Sequence, residues 1–169
     1  MPQYVANPEL RTVICEIEPP HIQPRVIDMM RSEGFDLKDE FHITVVPREA
    51  GEGMWTPTFE KLAGIMGRAL LLESDYTYSH DLYRVRKPKL HEEQTIPRSS
   101  IVAPVVSQRI LQHIDFVGMA LDAPLRAPFL HVTLATHPDH PIARRGIGIP
   151  SEEDWLSMET QVYASGWQA

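Results

Sequence analysis

Apolar positions recur along this chain with two periods, and the changes between them divide it into elements. Residues 11–17 are β-branched and mostly apolar and stop at Pro19-Pro20, which predicts a strand. From Pro24 the period lengthens, with Val26, Ile27, Met29 and Met30 forming a helical stripe that Gly34 would end. Residues 41–46 return to a strand pattern closed by Pro47, and residues 49–53 read as loop. Thr56 is the expected N-cap of a second helix, with Pro57 in its first turn. Phe59, Leu62, Ala63, Met66, Ala69 and Leu70 form its apolar stripe, at spacings of 3 and 4.

Beyond Glu73 the texture turns aromatic and extended, through Tyr76, Tyr78, Tyr83 and Val85, and then basic and proline-marked over residues 84–98. Residues 99–106 predict a strand in which Pro104 implies an edge or a bulge. Ser107 caps a helix carrying Ile110, Ile114, Val117 and Leu121, and Pro124 and Pro128 bracket a turn. A strand over 129–136 is followed by a His-, Pro-, Arg- and Gly-rich loop over 137–150. Ser151 with Asp154 opens a short helix, and 161–164 is a last strand. The order strand, helix, strand, helix, strand, strand, helix, strand predicts an α+β fold over a regular parallel α/β one. No linker-like composition interrupts it, so residues 1–169 read as one domain.

Composition narrows the function classes. With 169 residues, 43% hydrophobic, the chain has ample apolar content for a packed interior. Its longest apolar run, Ala69-Leu70-Leu71-Leu72, is far short of the ~18 residues a membrane span needs. Met1-Pro2-Gln3-Tyr4 lacks a basic stretch leading into an apolar one, so no secretory leader is expected. The lone Cys15 excludes an internal disulfide and fits a reducing compartment, with the cytoplasm the expected location. A net charge of -7 and a pI near 5.6 argue against a protein that coats long nucleic acid. Small nucleotides and oligonucleotide ends stay open as partners. Eight histidines in an acidic chain are where the chemistry concentrates.

One internal repeat stands out. Phe41-His42-Ile43-Thr44-Val45 and Leu130-His131-Val132-Thr133-Leu134 share the pattern apolar, His, apolar, Thr, apolar, each in a predicted strand. Strand geometry sends His and Thr to one face and the residue between them to the other. A single His-x-Thr on a strand is ordinarily a half-buried histidine beside a β-favouring threonine. Two matches among eight histidines arise by chance roughly once in 500. Phosphodiester cleavage needs one proton removed from the nucleophile and another given to the leaving oxygen. Imidazole, with an ordinary pKa near 6.5, serves either role. Thr44 and Thr133 would donate hydroxyl hydrogen bonds to the non-bridging phosphate oxygens. The scheme needs no metal and no cofactor, and the sequence leaves open which histidine is acid and which is base.

Two His-x-Thr strands, 89 residues apart in an α+β chain of this size, resemble the 2H phosphoesterase superfamily. That superfamily includes the bacterial RNA 2′,3′-cyclic phosphodiesterases once called 2′-5′ RNA ligases. Pro97-Arg98 before the 99–106 strand is similar to the stretch ahead of the second motif there. The resemblance implies a bilobal, pseudo-symmetric fold in which two mainly antiparallel sheets line a central cleft with helices outside. It implies that His131 activates water and His42 protonates the leaving ribose oxygen. It also implies a small substrate: a 2′,3′-cyclic phosphate, a 2′,5′-linked or a cyclic oligonucleotide. The chain departs from the bacterial pattern at Ala135-Thr136-His137, where a basic residue is common, and at Pro47-Arg48, where the strand usually runs on.

Other candidates are weaker. Arg48, Arg98, His137 and Tyr83 are candidates for substrate contacts. His137 and His140 have a metal-ligand spacing but lie in a proline-rich loop, which favours a pocket-border role. His80, His91 and His113 read as solvated surface, and His21 as cleft rim. Arg84, Arg86, Lys87, Lys89 and Arg98 form a solvated hairpin or a short phosphate-binding edge, and Arg144-Arg145-Gly146 is a similar case. Tyr76, Tyr78, Tyr83 and Trp55 are aromatics that stack a base or, more commonly, pack a core. Met29, Met30 and Met66 read as core. A nucleotide- or RNA-end-binding module without turnover and a histidine-ligated metalloprotein are the rival classes.

Overall fold

The computed structural model of the protein describes residues 1–138 and 146–169. Strands β1 (Gln3–Asn7) and β2 (Thr12–Ile17) are followed by helix α1 (Pro24–Ser32), the short β3 (Asp36–Leu37) and β4 (Phe41–Val46). Helices α2 (Arg48–Glu52) and α3 (Thr56–Gly67) lead to β5 (Thr77–Tyr78), β6 (Asp81–Arg86) and the hairpin β7 (Lys89–His91) and β8 (Gln94–Ile96). Then come β9 (Ser99–Val106), α4 (Gln108–Ala120), β10 (His131–Thr136), α5 (Glu152–Ser157) and β11 (Glu159–Ser165). The class is α+β, and the strand pairings among the described residues are antiparallel. In place of two sheets, one hydrogen-bonded sheet runs β1-β2-β4-β10-β9-β6-β11, with β3 beside β10 and β5 beside β9. Only the β7–β8 hairpin stands apart from it.

Period-2 alternation fixes which face the sheet buries. Val13, Cys15 and Ile17 of β2, Ile43 and Val45 of β4, and Val132 and Leu134 of β10 join one apolar cluster. Against them pack Val26 and Met30 of α1, Phe59, Leu62 and Met66 of α3, and Ile110, Ile114 and Val117 of α4. Ser107 and Ser151 cap α4 and α5 as expected, each accepting a hydrogen bond from the backbone N–H three residues on. Among the described residues no helix is long and apolar enough to cross a membrane.

Four local expectations are corrected. Residues 48–52 form a short helix where a loop was read. Gly51, within that stretch, lies buried where a Cβ would come 1.7 Å from the Arg11 carbonyl oxygen, so glycine serves a close backbone approach. Trp55, not Thr56, is the N-cap of α3, and the Thr56 hydroxyl instead accepts a 2.6 Å hydrogen bond from Arg11 Nη2. That helix ends at Gly67, short of Ala69 and Leu70. Pro104 sits in a central strand, β9, opposite His131 of β10. The neighbouring Val105 N–H points to β10, bonding the Leu130 carbonyl at 2.9 Å. The missing Pro104 N–H therefore faces the other side, where β6 pairing has ended and β5 pairing begins.

Candidate active site

Strands β4 and β10 are neighbours, bridged by the pair Ile43–Val132, and both of these side chains are fully buried. His42 and Thr44 flank the first, and His131 and Thr133 flank the second. All four motif side chains therefore project from the face opposite the core. They line one pocket of about 540 Å³, together with Thr12, Lys38, Asp39, Glu40, Arg48, Glu49, Phe129 and the backbone of 146–149.

Register explains the opening. Lys38 N–H bonds the Leu134 carbonyl at 2.8 Å while Ile43 pairs with Val132. Five residue steps on one side thus face two on the other. The surplus chain arches off the edge of β10 and carries Asp39 and Glu40 to the pocket rim. On its other edge β4 pairs with β2, His42 opposite Glu16 and Thr44 opposite Ile14, and the register shifts beyond Thr44, where Val13 pairs with Val46.

The two imidazoles sit in unlike surroundings. His131 is buried, and its Nδ1 lies 2.9 Å from the Phe129 carbonyl oxygen. A carbonyl only accepts, so Nδ1 carries a hydrogen. Burial lowers the His131 pKa, backbone hydrogen bonds to Phe129 and Ile147 oppose that, and His42 adds to the lowering. His42 is open to the pocket. Desolvation of its ring and then the Lys38 ammonium lower its pKa, while Glu16 and Glu40 push it back up.

Beside Thr133, Gly146 leaves space that a Cβ would fill, at 3.1 Å from the hydroxyl oxygen. From here Ile147 and Ile149 turn into the protein while Gly146 and Gly148 stay exposed. The Ile149 carbonyl accepts a 3.1 Å hydrogen bond from Phe129 N–H, which fixes this wall to the strand carrying His131.

The remaining predicted residues divide. Arg48 lines the pocket from α2, paired through Nε with Glu52 at 2.5 Å. Tyr83, Arg98 and His137 are not in its lining. Tyr83 packs edge-on against Trp155 at 5.3 Å, in a small cluster with Val85, Val102 and Ile147. Arg98 Nε donates to the Lys87 carbonyl at 3.0 Å. His137 stands edge-on to Phe35 at 5.3 Å. His140, Arg144 and Arg145 lie outside the described residues. His21 was placed at the rim, but its carbonyl instead accepts from Ala169 N–H at the C-terminal end. His113, read as solvated, is half-buried against the Tyr4 hydroxyl at 2.7 Å. His80 is exposed, and His91 is half-buried beside Glu92. Much of the basic stretch is tied down locally: Arg84 bonds the Ser99 hydroxyl and lies over Phe35, and Arg86 pairs with Glu159. Tyr76 is core, Tyr78 packs edge-on to Trp167, and Trp55 is exposed at the start of α3.

Sequence reading missed four contributors. Glu16 was hidden as one exposed position of a strand, although strand alternation groups it with Thr12. Lys38 lay between a helix and a strand with no motif around it. Phe129, stacked on Trp155 at 4.3 Å and 6°, forms a pocket wall. The alternation Gly146-Ile147-Gly148-Ile149 was a legible signal of an extended segment with one apolar face. Compared with family models, curated proteins and solved structures, the chain shows no significant match.

Proposed function

We propose that the protein is a metal-independent phosphodiesterase acting on a small or terminal nucleotide phosphodiester by paired histidine acid–base catalysis. The observation that carries this reading is the convergence of both His-x-Thr motifs on one pocket, from one face of adjacent strands. His131 Nε2 takes a proton from water, whose oxygen forms the new bond to phosphorus. The bond from phosphorus to the ribose oxygen breaks, and His42 supplies the proton that oxygen needs. Thr44 and Thr133 hold the non-bridging oxygens. In this reading β4 and β10 are the matching strands of a bilobal, pseudo-symmetric 2H phosphoesterase-like fold. The fully buried Cys15 fits a reducing compartment, the cytoplasm.

The test is hydrolysis of nucleoside 2′,3′-cyclic phosphates, 2′,5′-linked dinucleotides and cyclic dinucleotides, in EDTA. Wild type should turn over at least one class, and His42→Ala and His131→Ala should each abolish it. Tight binding without turnover across the panel would instead make the protein a nucleotide-binding module. Activity that disappears in EDTA and returns with a divalent metal would indicate a metalloenzyme.

A further inference from the structure

We propose that Lys38 is the phosphate-binding cation of this pocket, placing its ammonium against the non-bridging oxygens that Thr44 and Thr133 hold. The inference rests on the phosphodiesterase reading and assigns the charge-neutralising group within it. A phosphodiester arrives with one negative charge and gains more on its equatorial oxygens during transfer. The hydroxyls of Thr44 and Thr133 supply hydrogen bonds but no charge. Asp39, Glu40 and Glu49 stand on the same rim and oppose an anion. A cation inside the pocket is what the transferring phosphoryl group calls for.

Lys38 meets the need by position. Its backbone N–H is pinned to the Leu134 carbonyl at 2.8 Å, one residue beyond Thr133 on the same strand. Its residue is half-buried and lines the pocket with all four motif side chains. The other cation in the described lining, Arg48, is exposed. Lys38 also acts electrostatically on His42, so it lies within reach of the ring that would protonate the leaving oxygen. It thereby makes His42 a stronger acid. Lys38 directly follows β3, which pairs with β10 at Ala135 and Thr136.

Three proteins decide it: wild type, Lys38→Gln and Lys38→Arg. Any side chain at 38 keeps the backbone hydrogen bond, and equal melting temperatures would confirm an intact fold. Lys38→Gln should lose at least about tenfold in kcat/KM on the preferred phosphodiester at low salt. The deficit should narrow as ionic strength rises. Lys38→Arg should recover most of the loss. In ligand-free Lys38→Gln, the His42 ring protons should titrate at higher pH than in wild type, since a positive neighbour has been removed. Glu16, Glu40 and His131 remain as its other charged or titratable neighbours. Wild-type-like kcat/KM in Lys38→Gln would overturn the assignment. So would a loss that arginine does not rescue with His42 titration unmoved, since that marks a structural role. A wild type inactive on every substrate would instead sink the phosphodiesterase reading itself.

Discussion

Gly146 tests the pocket without touching either motif. Its backbone lies outside the left-handed region, so alanine is tolerated conformationally. The added Cβ would stand 3.1 Å from Thr133 Oγ1 and 3.7 Å from Thr133 Cβ and Cγ2. Ordinary contact begins near 3.4 Å, so the hydroxyl must give by a few tenths of an ångström or rotate to another χ1 well. Either response moves the hydroxyl off the phosphate oxygen. A hydrogen bond to a charged group contributes about 1.5–3 kcal/mol. At 1.36 kcal/mol per tenfold, Gly146→Ala should reduce kcat/KM by about 10- to 150-fold. Stability should stay near wild type, because restricting the unfolded chain offsets the contact by about 0.4–1 kcal/mol. The assay is kcat/KM for Gly146→Ala, Thr133→Ala and the double variant. The double variant should match Thr133→Ala, since one group carries both losses. Wild-type activity in Gly146→Ala, or the same fold loss added on top of Thr133→Ala, would refute the role of the Thr133 hydroxyl.

Other predictions follow from the same geometry. The proposed mechanism needs His131 neutral and His42 protonated, and both pKa values are lowered, so kcat/KM should peak on the acid side of about pH 6.5. A bound phosphate anion favours imidazolium, so the kcat profile should lie at higher pH than that of kcat/KM, and a kcat/KM maximum in alkaline buffer would contradict the scheme. Because the folded pKa of His131 is below its unfolded value, the unfolded state binds more protons between the two. The stabilisation is full above about pH 6.5 and is lost as pH falls through the folded value, so urea midpoints should decline from about pH 7 to 5, and less steeply in His131→Asn. Gly51→Ala meets the Arg11 carbonyl at 1.7 Å and should destabilise by about 1–3 kcal/mol in urea unfolding, loosening the helix that carries Arg48 and Glu49. Ile43→Ala removes a fully buried side chain between His42 and Thr44 and should cost about 2–5 kcal/mol.

What the sequence discloses here is what local physics determines. The strands over 41–46 and 99–106 and both serine caps were legible because alternation and capping act over a few residues. The two motifs were legible as strand faces for the same reason. Strands β1 and β3 were not: Gln3–Asn7 buries only Tyr4, and Asp36–Leu37 is held by β10, a partner almost 100 residues away. Gly51 and Pro104 misled because each residue type has two uses, and tertiary context chose the rarer one. Lys38 and Glu16 belong to no motif. They join the site through register, which no window of sequence contains.

A repeat that is symmetric in sequence sits in asymmetric surroundings, and the asymmetry bears on the proposed roles. His131 is buried, and its ring is held by backbone hydrogen bonds to Phe129 and Ile147. Nothing in the substrate's charge is needed to hold it neutral. His42 stands open among Lys38, Glu16 and Glu40, so its protonation answers to charge nearby. In the proposed reading, an arriving phosphodiester anion would offset Lys38 and favour a proton on His42, arming the acid when substrate is present. Exchanging the roles would require the buried ring to charge in the drier environment and the exposed ring to stay neutral beside an anion. Both changes run uphill, so within the proposed phosphodiesterase reading the surroundings favour His131 as base and His42 as acid.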